Sequence, residues 1–191
     1  EYPVDDVLDI SGWDLSKALQ LMYNCNPSLC EWLSSPIVYI KTDSARKLRS
    51  LLHSYLDCSK LLHHYLSMAC KTYTSYLTKD MVRAKKYFYV LRPLLCCKWL
   101  LEYGSVPPVE FATLMEAELP ADLNNSVKQL LDIKISSPKI KEIPQIPQVH
   151  TYLLQIMEEI QEKLSCLPSH QHISIEPLNN LFLKEVFNTT D

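Results

Sequence analysis

Only two glycines, Gly12 and Gly104, occur in 191 residues. Glycine reaches positive φ without strain, so tight hairpin turns and glycine-lined phosphate loops both draw on it. A chain this poor in glycine is set against a turn-rich β architecture and against a glycine-cradled phosphate site. What it can build readily is helix, and the apolar residues recur at the three-and-four spacing of an amphipathic helix over most of the length.

Ser11 and Asp14 stand at capping-box spacing, which predicts a helix start there, with Leu15, Ala18, Leu19 and Met22 on one face. Asn26-Pro27 reads as a cap followed by proline at the first helical position, giving a short helix to Ser34. Pro36 and Ile37-Val38-Tyr39-Ile40 read as an extended segment. Further helices are expected from Asp43 or Ser44 to Leu56, and from Ser59 to Leu77 with Leu62, Tyr65, Leu66, Ala69, Tyr73 and Tyr76 on one side. The longest is expected from Lys79 to Tyr103. Its stripe is Met81, Ala84, Phe88, Leu91, Leu95 and Trp99, Pro93 interrupts its ladder, and Gly104 is the natural left-handed stop. Short helices follow over Val109–Glu118 and Ala121–Asp132, then an irregular proline-bearing excursion from Ile135 to Pro147. Amphipathic helices over Val149–Cys166 and Glu176–Phe187 close the chain. The fold class expected is mainly α, a helical bundle with a small residual strand or sheet edge at the N-terminus.

With 47% hydrophobic and 21% charged residues the chain reads as globular, and a net charge of −3 gives no overall pull toward nucleic acid. There is no run of 18 apolar residues and no signal-peptide pattern. The seven cysteines (25, 30, 58, 70, 96, 97 and 166) form an odd set without a Cys-x-x-Cys pair and fall mostly on apolar stripes. Reduced thiols and a cytoplasmic setting follow, which makes the sequons at Asn124 and Asn188 chance matches.

Three groups of residues could carry chemistry. Asp9 lies between Leu8 and Ile10, so a strand would seat its neighbours in a core and aim the carboxylate into a cleft as a magnesium ligand. From the residues alone, an exposed acid in a turn region is the plainer reading. Lys85, Tyr89 and Arg92 share one helical face within about 60° of each other, with Lys86 and Tyr87 beside them. Such a face suits a triphosphate and a stacked base, or is a solvated basic face over the bundle. His64 and Lys71 lie two turns apart on one face and could reach a phosphate or acceptor strand; a helix-face histidine hydrogen-bonded to a neighbour is an equal reading. Adjacent His63 and His64 cannot face one metal from a helix. His170 and His172 lack a third ligand, Asn26 serves as a cap, and Trp13, Trp32 and Trp99 are expected in the core.

Four blocks in order carry a resemblance: DISGWDLSKALQLM (Asp9–Met22), NPSLCEWLSSPIVY (Asn26–Tyr39), HHYLSMACK (His63–Lys71) and AKKYFYVLRPLLCCKWLLEYG (Ala84–Gly104). A weaker echo runs through PPVEFATLM and Ile143–Pro147. From Val4 to Leu154 the chain resembles the YcgL/RlaP-like nucleotidyltransferases, a branch of the DNA polymerase beta superfamily. The resemblance implies a Gly-Ser turn, a pair of strand aspartates holding two Mg²⁺ ions, and a third carboxylate, which Asp9 looks like. No Gly-Ser followed by Asp-x-Asp occurs in these 191 residues.

The resemblance therefore implies the C-terminal part of an enzyme that moves a nucleoside monophosphate from an NTP to a hydroxyl acceptor, an RNA end among the candidates. Asp9 would be its catalytic and metal-binding carboxylate, and Lys85, Lys86, Tyr89, Arg92, His64 and Lys71 its nucleotide contacts. Residues 1–40 are expected as a remnant of the catalytic domain, 41–134 as a helical substrate-side domain and 135–191 as the excursion with its closing helices. With one of three carboxylates, this polypeptide is expected to be inactive. It is also expected to self-associate through apolar surface where the sheet belonged. The alternative is a non-catalytic helical module that binds nucleotide or a protein. A helical ribonuclease of the toxin type would need Arg-x-x-x-x-His on one helix, and neither Arg49 nor Arg83 has it.

Overall fold

The structure, a computed structural model, describes residues 2–3, 9–136, 142–167 and 173–187, with the backbone alone for 2, 3 and 9. His170, His172 and the Asn188 sequon lie outside the described residues. A short antiparallel pair, β1 (Tyr2–Pro3) and β2 (Asp9–Ile10), leads into α1 (Leu15–Tyr23) and α2 (Pro27–Ser34). Then come α3 (Asp43–Tyr55), α4 (Cys58–Tyr76), β3 (Met81–Arg83) and α5 (Ala84–Tyr103). After α6 (Phe111–Glu118), a 3-10 turn at Ala121–Leu123 runs into α7 (Asn124–Ser136); β4 (Glu142–Pro144), α8 (Pro147–Ser165) and α9 (Glu176–Phe187) complete the order. The mainly α bundle with a strand edge at the N-terminus is the class the apolar spacing predicts.

Capping residues set most of the boundaries. Asn26 accepts from the Leu29 amide at 3.2 Å ahead of Pro27, Thr42 caps α3, and Asp57 caps α4. Gly104 ends α5 at φ 58°, a left-handed cap that costs a glycine nothing. The first helix starts later than Ser11: Asp14 is itself the cap, accepting from the Lys17 amide at 2.8 Å.

The expected long helix from Lys79 is shorter at its front. Met81–Arg83 leaves helical geometry and pairs with Glu142–Pro144, Val82 opposite Ile143. The Gln145 side chain donates to Leu77 O and Lys79 O at 2.8 and 2.9 Å, and the Ile146 amide donates to Tyr87 Oη at 2.9 Å. The proline-bearing segment thus docks across the entrance to α5, and Met81 lies outside the helix, half exposed. From Ala84 on, α5 is buried on nearly every side, against α4, α6, α7 and α8. It continues through Pro93, whose missing N–H leaves the Tyr89 carbonyl without its ordinary helical partner.

Two apolar cores result. The larger gathers α4 through α8 around Leu91, Leu94, Leu95 and Cys97; the smaller joins α1, α2 and α3 to α9 through Leu19, Met22, Leu29, Tyr55, Leu178 and Leu181. Two of the three tryptophans correct the expectation of burial. Trp13 and Trp32 are 39% and 48% exposed and stack on each other, ring centroids 4.2 Å apart and 16° from parallel. Trp99 is partly buried and donates to Ser105 Oγ at 3.1 Å. Ile37–Ile40 forms no strand; it is an exposed loop, Tyr39 94% accessible. All seven cysteines are free thiols. Among the described residues no helix is long and apolar enough to cross a membrane.

Candidate functional site

The opening turns of α5 carry a concentration of positive charge around exposed aromatic rings. Lys86 Nζ sits 3.6 Å from the Tyr76 ring centroid and 5.2 Å from that of Tyr89, while Lys85 Nζ is 5.3 Å from Tyr89. Lys134, from α7, lies over Phe88 at 5.1 Å. Burial of Tyr87, Phe88, Val90 and Leu91 fixes the helix's rotation, which leaves Lys85, Lys86 and Tyr89 toward solvent. Hydrogen bonding to Lys85 holds the Tyr89 phenol below its ordinary value of 10.0, and the charges of Lys85, Lys86 and Lys134 add to this.

Lys134 and Tyr76 join this group through tertiary structure. The α7 pattern was expected to stop at Asp132, whereas the helix runs to Ser136 and brings Lys134 back over α5. No local signal links positions this far apart. Tyr76, expected inside, stands at the end of α4 with 47% of its surface open.

Arg92 lies one turn further along and faces α2. Its guanidinium donates to Glu31 at 3.0 Å, and Tyr65 Oη donates to the same carboxylate oxygen at 2.5 Å. Burial alone would lower the arginine pKa, but the Glu31 hydrogen bond and charge outweigh it and the net shift is upward. Burial chiefly pushes the neighbouring Cys96 thiol up to about 12, against the pull of Arg92, and it stays protonated. Arg92 is thus a tie between α2, α4 and α5, its charge matched within the protein.

His64 and Lys71 are both exposed on α4. At 100° per residue they leave the helix opposite the face of Tyr65, Leu66 and Ala69 that packs inward, and opposite Tyr76 as well. Among the described residues, neither makes a hydrogen bond or ion pair with the Lys85 group. Asp9 stands on β2, its backbone paired with Pro3, and its side chain lies outside the described residues. Among the described residues no three His, Cys, Asp or Glu side chains gather where a metal could be held. The described residues therefore do not assemble the two-ion site that the resemblance implies. One carboxylate holds Mg²⁺ weakly, because the ion keeps its water.

The comparisons with known proteins bear on this arrangement. The family model described as the RNA repair pathway DNA polymerase beta family, RlaP, matches residues 1–184. The chain is 37% identical over 188 residues to the Bacillus subtilis (strain 168) protein named "Uncharacterized protein YcgL", covering 97% of this chain and 72% of that one. No solved structure gives a significant match. On a match that spans nearly its whole length, the chain belongs to the RNA repair pathway DNA polymerase beta family.

Proposed function

We propose that this chain serves the transfer of a nucleoside monophosphate from an NTP to a hydroxyl acceptor, an RNA end among the acceptors, and that the opening turns of α5 hold the triphosphate. The observation that carries this reading is the placing of Lys85 and Lys86 against the exposed Tyr89, with Lys134 of a second helix over the adjacent Phe88 and its charge felt at Tyr89. Membership of a DNA polymerase beta family supports the reaction class.

The energetics of the cluster favour exchange of rings for phosphate. An exposed cation–π contact contributes roughly 0.5–1 kcal/mol. A hydrogen bond between charged partners contributes about 1.5–3 kcal/mol. Lysines resting on Tyr76 and Tyr89 can therefore leave those rings for an anion at small cost. The uncovered ring faces then offer a surface on which a base can stack. Arg92, one turn further along, is satisfied by Glu31 and ties α5 to α2.

Asp9 is assigned the strand carboxylate of the metal site. It is one acid of the expected set, so the part proposed for this polypeptide is nucleotide binding, with no turnover by itself. ATP titrated by calorimetry should bind, and Lys85→Ala/Lys86→Ala should weaken binding at least tenfold, two charge-assisted contacts being removed. Absence of ATP binding would favour a module that holds a protein partner instead. In NTP incorporation with Mg²⁺ or Mn²⁺, turnover by this polypeptide would contradict its proposed part, and turnover that survives Asp9→Ala would end the assignment of Asp9 as well.

A further inference from the structure

A second surface combines aromatic, apolar and cationic side chains. Between the end of α2, the loop Ser35–Thr42 and the start of α3 lies a groove of about 420 Å³. Trp32, Ile37 and Tyr39 provide its apolar surface, and Lys41, Arg46 and Arg49 its charge. None of the residues lining it is acidic. In a chain of net charge −3, three cations around an acid-free hollow are a marked local excess.

The groove is held in shape by its own contacts. Ser35 Oγ accepts from the Ile37 amide at 3.2 Å and donates to Ile37 O at 3.3 Å. Arg49 donates one guanidinium nitrogen to Ser35 O at 3.2 Å, and its fork has further N–H donors. Arg46 pairs with Asp43, both side chains largely in solvent, so that pair is weak and readily exchanged. Trp13, stacked behind Trp32, fixes that ring while Trp32 lines the hollow.

Large rings left in water beside cations that are only lightly engaged, Arg46 by a solvent-exposed Asp43 and Arg49 through one of its nitrogens, fit a ligand with flat apolar units on an anionic backbone. A membrane surface would call for apolar side chains on one convex helix face; here they line a concave loop. We propose that the α2–α3 groove binds single-stranded nucleic acid, with Trp32 and Tyr39 stacking bases and Lys41, Arg46 and Arg49 taking phosphates. The site is separate from the nucleotide face on α5, and its test contains neither NTP nor metal, so either proposal can fail alone.

The test is fluorescence anisotropy of a short labelled oligo-uridylate. Binding should fall with salt on a log–log slope of about −2, three phosphate contacts on a single strand. Tyr39→Ala, a change at a side chain almost wholly in solvent, should leave thermal melting unchanged and weaken binding roughly tenfold. Lys41→Ala/Arg49→Ala should weaken it further and flatten the salt slope, while Lys163→Ala on α8 should change nothing. No binding of the strand, binding undiminished in both groove variants, or binding of phosphatidylserine vesicles in place of RNA would overturn the proposal.

Discussion

Tyr89 behaves unlike five other tyrosines of this protein. Tyr55, Tyr65, Tyr73, Tyr87 and Tyr152 are pushed upward, burial being the largest cause for each, whereas Tyr89 is drawn down by Lys85 and its neighbouring lysines. In an alkaline titration followed by phenolate absorbance, Tyr89 should therefore ionise in a phase ahead of these five. Lys85→Ala should move that phase upward, and bound ATP should do the same by drawing the lysines onto phosphate. An early phase that persists in Tyr89→Phe would show the assignment to be mistaken. The types and helical spacing of Lys85, Lys86 and Tyr89 were legible from neighbouring letters alone. That Arg92, on the same face, is neutralised by Glu31 was not, because its partner lies on another helix 61 positions away.

Among the elements, α9 is fastened to α3 by polar contacts at its far end. Glu185 accepts from Lys47 Nζ at 2.8 Å and from the Ser44 hydroxyl. These bonds, Lys47 first, hold the carboxyl below its ordinary value of 4.5. The contribution to stability is therefore present above that value and is lost as pH falls through the lower folded-state value. Glu185→Gln should melt slightly earlier than the native protein near neutrality, and the two should converge in acid; a gap that persists in acid would count against the tie. The bounds of α9 follow directly from its pattern, as do the caps at Asn26 and Gly104, since each rests on residues within one turn. The strand at Met81–Arg83 is a different case. Its apolar spacing continues that of α5, and what draws it out of the helix is Glu142–Pro144, which no short window contains. Likewise Ile37–Ile40 has the composition of a strand and no partner to pair with.

For the whole molecule, helical class and the main bundle could be read from periodicity, but not the return of α9 to the N-terminal helices, which builds the second core. That closure depends on Leu178 and Leu181 meeting Leu19 and Met22, residues more than 150 positions apart. The burial of α5 on nearly every side has a kinetic consequence. Its middle amides are shielded by four other helices, so no local fluctuation short of dismantling the bundle can open them to water. In deuterated solvent the amides around Leu94–Cys97 should be the last to exchange, at a rate that tracks global unfolding, while those of α9 turn over much sooner. The lysines near the head of α5 would then be mounted on the stiffest rod in the protein, and any ligand they meet must accommodate itself to them.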